Sequence, residues 1–244
     1  MVVARRARAL RDEVGYHDLL ADLRKPGCPA CHGGHRAAWR YLDALLWEFV
    51  NDPEVRARLR ASLGFCREHA LMLLAVASNR SAGSGVGILY EDLLRHVREE
   101  LISASRSRTR SASRRGRRSS ERPVRGRCPA CESANFVATN YARILATAPE
   151  DSPPIEGIRR PMRGICLPHL ELGLRHARTE AQAARLVELY LRGEEELRTD
   201  LTEFVRKQDY RFQSEGLTDA QASSWMRAVY RLVGEPLPRK PPER

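Results

Sequence analysis

Apolar residues recur at intervals of three and four along most of the chain, which is the spacing of one face of an α-helix. The clearest stretch follows Pro29 and ends near residue 51. Its apolar positions are Trp39, Leu42, Leu45, Leu46, Phe49 and Val50. Similar stretches predict helices over roughly 16–25, 53–63, 66–76, 88–102, 136–145, 167–178, 179–192, 194–212 and 218–233. No stretch alternates apolar and polar residues over enough positions for a strand, so the sequence predicts an all-α fold.

Glycine, proline and capping residues mark the expected ends of these helices. The Gly- and Ser-rich residues 79–87 predict a loop, and Gly193 predicts a break or kink. Prolines and a glycine over residues 154–161 argue against a helix there. Thr218 and Gln221 have the spacing of a capping box at the start of the last helix. The apolar residues that this helix is predicted to bury are Trp225, Val229 and Leu232.

All six cysteines of the chain fall in two blocks that share one spacing. Each block reads Cys-x-x-Cys, then a gap of 34 residues, then Cys-x-x-His. The first block contains Cys28, Cys31, Cys66 and His69, and the second contains Cys128, Cys131, Cys166 and His169. Two short ligand pairs brought together from distant positions are the usual source of a tetrahedral zinc site. We therefore predict eight metal ligands and two zinc ions per chain, with each block forming its own four-ligand site.

Other chemistry can use cysteines at this spacing. Cys28, Cys31 and His32 match the pattern of covalent haem attachment, but the second block has Glu132 in place of the histidine. A thioredoxin-type redox pair leaves the Cys-x-x-His halves unexplained and lacks alternating strands and helices. An iron–sulfur cluster held by three cysteines and one histidine fits the spacing as well. An iron–sulfur or thiol redox sensor therefore stays open as an alternative.

The second block begins 100 residues after the first, and further residues repeat at the same offset. The repeated pairs include Tyr41 and Tyr141, Leu45 and Leu145, and Pro53 and Pro153. This offset predicts an internal duplication of about 85 residues. The expected division is a flexible N-terminus (1–15), two helical metal-binding modules (16–102 and 128–192), a disordered Arg/Ser-rich linker between them (103–127), a C-terminal helical pair (193–235) and a loose tail (236–244).

The net charge of +11 is concentrated in the linker over residues 103–127. This segment holds ten arginines and a single acid, Glu121, so it carries +9 and leaves the rest of the chain nearly neutral. Its composition predicts disorder, since it has too little apolar surface to offset the entropy of ordering. Ten arginines also favour weak nucleic-acid binding without sequence preference, although an inert linker is an equal alternative.

The rest of the sequence argues against several classes of function. No apolar run approaches the roughly 18 residues of a membrane span, and no apolar stretch follows the basic first ten residues, so neither a membrane segment nor a secretory signal is expected. A cytoplasmic location follows, where thiols stay reduced. No nucleophile-elbow, phosphate-loop, dinucleotide or HExxH pattern occurs, which argues against an enzyme. The favoured function is a non-enzymatic, zinc-stabilised protein that binds a protein partner.

Several motifs together resemble an uncharacterised prokaryotic family known only as domain of unknown function 6062. The motifs are residues 28–31, 41–43, 51–53, 64–69, 128–131, 166–169 and 206–212. The resemblance covers about residues 16–232 and implies no activity. The chain departs from the family pattern at the Arg/Ser-rich segment and at Gln208, where the family leads us to expect histidine. The resemblance also draws attention to residues 207–212, either as a docking surface or as an ordinary helix end with two aromatic residues packed under the last helix.

Overall fold

The chain folds into helices joined by short connections. The computed structural model describes residues 15–112, 126–238 and 240–241. Its helices are α1 (Tyr16–Asp22), α2 (Pro29–Glu48), α3 (Pro53–Ser62), α4 (Arg67–Arg80), α5 (Gly83–Ala112), α6 (Pro129–Thr147), α7 (Pro153–Ile158), α8 (Leu167–His176), α9 (Glu180–Arg206), a 3₁₀-helix (Gln213–Glu215) and α10 (Asp219–Val233). The described residues contain no strand, only one isolated bridge between Gly27 and Arg163. The predicted all-α class is confirmed.

The described residues form two compact units. The first unit contains residues 15–35 and 134–236. The second contains residues 36–112, 126–133 and the described residues after 236. Helices α2 and α6 each begin in one unit and end in the other. The N-terminal turns of α2 therefore belong to the first unit, although the rest of that helix belongs to the second.

The first unit is built around the middle of α6. Tyr141 is completely buried there and donates a hydrogen bond from its hydroxyl to Asp22 Oδ2 at 2.8 Å. The apolar residues packed in the same core include Leu19, Ile144, Leu145, Ile155 and Leu186, each at most 1 % exposed. Gly33 of α2 makes room for the tyrosine ring, because a Cβ at this position would lie 2.6 Å from Tyr141 Cε2.

The second unit has a leucine core and an ion pair in which the carboxylate, Asp92, is buried and the arginine, Arg60, is partly exposed. Leu42, Leu45, Leu59, Leu73 and Leu89 are each at most 2 % exposed. Arg60 donates to both carboxylate oxygens of Asp92, at 2.8 and 2.6 Å. The start of α3 is fixed by Asp52, whose Oδ1 accepts from the backbone N–H of residues 54 and 55. An acidic cap followed by proline is a strong helix start, and the predicted helix is found there.

Three glycine- or proline-based expectations were wrong. Helix α5 begins at Gly83, inside the predicted loop 79–87. Gly85 lies within this helix and allows close packing, since a Cβ there would lie 3.3 Å from Leu46 Cδ2. Helix α9 runs through Gly193 without a break, so the expected boundary between residues 192 and 193 lies inside a continuous helix. A short helix, α7, also forms where prolines argued against one, with prolines in its first turn.

The apolar face of α10 is another correction. Its capping box is present, since the Thr218 side chain accepts from Gln221 N and the Gln221 side chain accepts from Thr218 N. However, Trp225, Val229 and Leu232 are each more than half exposed. The residues that this helix buries are Ser224 and Arg231. Periodicity therefore located the helix but assigned the wrong face to the core.

The arginine-rich segment begins as helix. Helix α5 continues to Ala112, so the first part of the predicted disordered linker is helical. Residues 113–125 lie outside the described residues, as do the expected flexible N-terminus up to residue 14 and much of the expected loose tail. Among the described helices, none has the length and apolar character required to cross a membrane.

Candidate metal centres

The first candidate metal centre, called the first centre below, lies in the first unit and joins the starts of α2 and α8. Cys28 and Cys31 flank the first residues of α2, and Cys166 precedes α8, whose first turn carries His169. The Cys31 Sγ atom lies 3.6 Å from Cys166 Sγ and 3.4 Å from His169 Nδ1. His169 Nδ1 also lies 3.7 Å from Cys28 Sγ and 3.1 Å from Cys166 Sγ. Four potential ligand atoms thus converge on one point.

The second candidate metal centre, called the second centre below, lies in the second unit and has the same composition. Cys66 precedes α4 and His69 lies in its first turn, while Cys128 and Cys131 flank the start of α6. His69 Nδ1 lies 3.2 Å from Cys66 Sγ, 3.2 Å from Cys131 Sγ and 3.8 Å from Cys128 Sγ. Cys66 Sγ and Cys131 Sγ are 3.6 Å apart. In each centre all four ligand atoms lie within 4.8 Å of one another.

Both centres fit a tetrahedral ion. Zinc bonds of about 2.3 Å to sulfur and about 2.0–2.1 Å to nitrogen would separate the ligand atoms by roughly 3.5–3.8 Å. The distances in both centres fall close to that range, and each histidine turns Nδ1 toward the thiols. Neither Cys66 nor Cys166 uses its side chain to cap its helix, so both thiols are free to act as ligands. Helix N-termini favour the thiolate form that a metal requires.

The predicted grouping of these eight residues was wrong. Each Cys-x-x-Cys pair meets the Cys-x-x-His pair of the other block, not the pair that follows it after 34 residues. The physical reason is that α2 and α6 each begin in one unit and continue into the other. The Cys-x-x-Cys pair at the start of each helix therefore lies in a different unit from the Cys-x-x-His pair that follows it in the chain. The two Cys-x-x-His pairs offer the same chemistry, so spacing alone could not distinguish the crossed grouping from the local one.

The protonation of the first centre shows why a cation suits it. Burial raises the pKa of the Cys28 thiol, but hydrogen bonds with Cys166, Cys31 and His169 outweigh it and hold this pKa well below its usual value. Hydrogen bonds with Cys166 and Cys28, together with burial, instead raise the pKa of Cys31. Burial lowers the pKa of His169, yet its bonds to Cys166 and Cys28 raise it to about 10. Three crowded thiols cannot all ionise unless a positive charge lies among them.

The two centres differ in their exposure to solvent. Cys28, Cys31 and Cys166 are at most 4 % exposed, whereas all three thiols of the second centre are only partly buried. The turn after α10 helps to close the first centre. There the backbone N–H of Glu235 donates to Cys31 Sγ at 3.4 Å, and Glu235 Oε1 accepts from Cys28 N at 2.6 Å. No sequence signal places Glu235 beside these cysteines, because it lies 204 positions after Cys31.

Residues 207–212 form contacts typical of a helix end. Lys207 Nζ donates to Gly216 O at 2.9 Å and to Gln221 Oε1 at 3.0 Å, which ties the end of α9 to the cap of α10. The Arg206 guanidinium lies 4.7 Å from the centre of the Phe212 ring. Tyr210, however, is 83 % exposed, so it does not pack under the last helix as expected. Most of the segment has a structural role, and Tyr210 is its only large apolar side chain that faces solvent.

The fold and the two centres define an all-α protein with two Cys₃His groups arranged as metal sites. The chain belongs to the family of unknown function DUF6062, which matches residues 18–237 and confirms the resemblance inferred from the motifs. It is also similar to the "Uncharacterized 23.9 kDa protein in xynA 3'region" of Caldicellulosiruptor sp. (strain Rt8B.4). The two are 23% identical over 219 residues, which cover 88% of this chain and 99% of the relative. No solved structure matches the chain.

Proposed function

We propose that this protein is a non-enzymatic helical interaction protein in which two zinc ions hold distant helices together. The observation that carries the proposal is the convergence of all six cysteines and two histidines into two Cys₃His groups. Cys31 and Cys166 are separated by 135 positions, so one ion in the first centre would link remote parts of the chain. Such a link stabilises a fold by on the order of 10 kcal/mol of apparent metal-binding free energy.

Zinc is favoured over a redox centre by the ligand set and by burial. Closed four-ligand sites of three cysteines and one histidine are typical of structural zinc. The thiols of the first centre are too deeply buried for ready thiol–disulfide exchange with a partner. The competing candidate is an iron–sulfur or thiol-sensing role for the second centre. Its thiols are partly exposed, and oxidants reach exposed thiolates.

Metal analysis of anaerobically purified protein tests this proposal. We expect about two zinc ions per chain and no visible absorption. One ion per chain or none would contradict the zinc proposal. A broad band near 400 nm, a rough expectation for sulfur-to-iron charge transfer, would establish the iron–sulfur alternative.

Support for an interaction role comes from α10 and the loop before it. Six of their apolar side chains are between 39 % and 69 % exposed: Leu217, Trp225, Met226, Val229, Leu232 and Val233. Contiguous exposed apolar residues are typical of surfaces that contact another molecule. The proposed partner is a protein, and the proposed location is the cytoplasm, where these thiols would stay reduced.

Nucleic-acid association through residues 103–127 is a further candidate, favoured by their ten arginines. Electrostatic binding of this kind weakens steeply with salt, because it depends on the release of counterions. We expect micromolar-range binding to mixed-sequence DNA or RNA at low salt that disappears by moderate salt. A variant with these arginines replaced by glutamine provides the comparison. Equal affinity of the variant and the native chain at low salt would exclude the segment as a nucleic-acid binder.

A further inference from the structure

A cavity of about 270 Å³ opens beside the first metal centre. Cys28 and Cys166 form part of its wall, so the cavity reaches the outer side of two metal-binding residues. Its volume is slightly below the range of about 300–1,000 Å³ that is common for small-molecule sites. The cavity is therefore large enough for a small organic molecule but not for a peptide or a nucleotide.

Arg231 is the unusual residue of this cavity. It is only 9 % exposed, and no carboxylate in the described part of the chain pairs with it. Its guanidinium lies 4.5 Å from the centre of the Tyr190 ring, and Nη2 donates to the backbone oxygen of Tyr190 at 2.5 Å. Its Nε atom is buried without an acceptor among the described residues. A buried cation with unused donors is costly unless an anion pairs with it.

The other charged residues of the cavity already have partners. Arg163 donates to the backbone oxygens of Leu23 and Arg24, at 2.7 and 2.6 Å. The Nε atom of Arg227 also lacks an acceptor among the described residues, but Arg227 pairs with Asp200 at 2.7 Å, so its charge is neutralised. Glu235 accepts from Cys28 N and lies 3.0 Å from His32 Nε2. Arg231 is thus the group in this cavity that is available for an incoming anion.

The surroundings of Arg231 keep space open for its guanidinium. A Cβ at Gly193 would lie 2.7 Å from Nη2, and a Cβ at Gly164 would collide with Nη1. Glycine at both positions lets the guanidinium lie flat beside two backbone segments. The rest of the lining includes apolar groups from Pro26, Met162, Leu197 and Tyr230. A buried cation without a carboxylate partner, next to apolar groups, is the arrangement that recognises a carboxylate carried on a hydrocarbon body.

We propose that this cavity binds a small organic carboxylate, with the carboxylate paired to Arg231 and the hydrocarbon part against Met162, Leu197 and Tyr230. The guanidinium offers two parallel N–H donors, which match the two carboxylate oxygens. The competing explanation is that Arg231 only offsets the charge of the neighbouring centre, since three thiolates and one zinc ion carry a net negative charge. The two explanations differ in whether the native protein binds a free carboxylate.

Titration calorimetry on the metal-loaded full chain tests the proposal. The probes are hexanoate and benzoate, with hexanamide and benzamide as neutral matches of the same shape. We expect at least one acid to bind with a Kd below about 1 mM and its amide to bind at least tenfold more weakly, because the amide loses the charge-assisted pair. Failure of both acids to bind, or equal binding of acid and amide, would overturn the proposal.

Two variants and a control locate the site. Arg231→Met keeps the apolar stem and should weaken acid binding at least tenfold, whereas Arg198→Met removes an exposed arginine of the same unit and should change nothing. Ser223→Phe fills the cavity while keeping Arg231, and it should also abolish binding. Metal content is measured on every variant. Unchanged binding in both Arg231→Met and Ser223→Phe would place the acid elsewhere and refute this site, whatever metal the centres hold.

Discussion

Cys31 and Cys166 lie 135 positions apart in the chain, yet their sulfur atoms are 3.6 Å apart in the structure. Each of them belongs to a block whose other half lies in the opposite centre. The arrangement links the beginning of α2 to the beginning of α8 and, in the second centre, the beginning of α4 to the beginning of α6. Any metal bound there would therefore close long loops, not the 34-residue loops that the spacing suggested.

Paired cysteine substitutions test the crossed grouping directly. Replacing Cys31 and Cys66 together by serine should remove both metal ions, because the two residues lie in different centres. Replacing Cys31 and Cys166 together should remove one ion and leave the second centre filled, because these two share a centre. Both variants lose two thiols, so metal content per chain distinguishes them. The local grouping predicts the reverse pattern, so loss of only one ion by the Cys31/Cys66 variant would contradict the crossed grouping.

The two centres should also lose metal at different rates. All three thiols of the second centre are partly exposed, whereas those of the first are at most 4 % exposed. We expect a chelator to remove one ion at least about tenfold faster than the other, because access to the thiolates limits release. Alkylation of the partly depleted protein followed by mass spectrometry should then label Cys66, Cys128 and Cys131. Preferential labelling of Cys28 or Cys166 would show that burial does not control release.

Much of the fold could be read from the sequence, and the errors share a physical cause. Helical periodicity and the caps at Asp52 and Thr218 located most helices, because those signals are local. The predictions of a loop around Gly85 and a break at Gly193 were wrong because glycine, which breaks an isolated helix, also lets another segment approach a helix closely. The eight Cys and His residues were found by their chemistry. Their crossed grouping, the place of Glu235 and the burial of Arg231 depend on contacts between remote segments, which spacing does not encode.

The Asp92–Arg60 pair should make the second unit sensitive to acid. Hydrogen bonds from Arg60 hold the pKa of the Asp92 carboxyl below its usual value. A lowered folded-state pKa contributes stability that is present above the unfolded value of about 3.9 and is lost as the pH falls through the folded value. Asp92→Asn should therefore lower the unfolding temperature by about 2–4 °C at pH 7, with the difference shrinking below about pH 4.

The control for this pair is Asp43→Asn. Asp43 also accepts two hydrogen bonds from one arginine, Arg80, but its side chain is 28% exposed and that of Asp92 is 9% exposed. A more exposed pair contributes less because water screens it. Calorimetric scans of both variants between pH 3.5 and 7 provide the comparison. An equal effect of the two substitutions at pH 7, or a difference for Asp92→Asn that is as large at pH 3.5 as at pH 7, would contradict the assignment.

Gly33 and Gly87 offer a matched test of packing in helix interiors. A Cβ at Gly33 would lie 2.6 Å from Tyr141 Cε2 and 2.9 Å from Val137 Cγ1, whereas a Cβ at Gly87 meets nothing within 4 Å. Gly33→Ala should destabilise the protein by about 1–3 kcal/mol, because a buried ring and its hydrogen bond to Asp22 must move. Gly87→Ala should stabilise it by up to about 1 kcal/mol, since alanine has the higher helix propensity. Chemical denaturation of the metal-loaded variants measures both changes. Stabilisation by Gly33→Ala would mean that Tyr141 does not lie against α2 in solution.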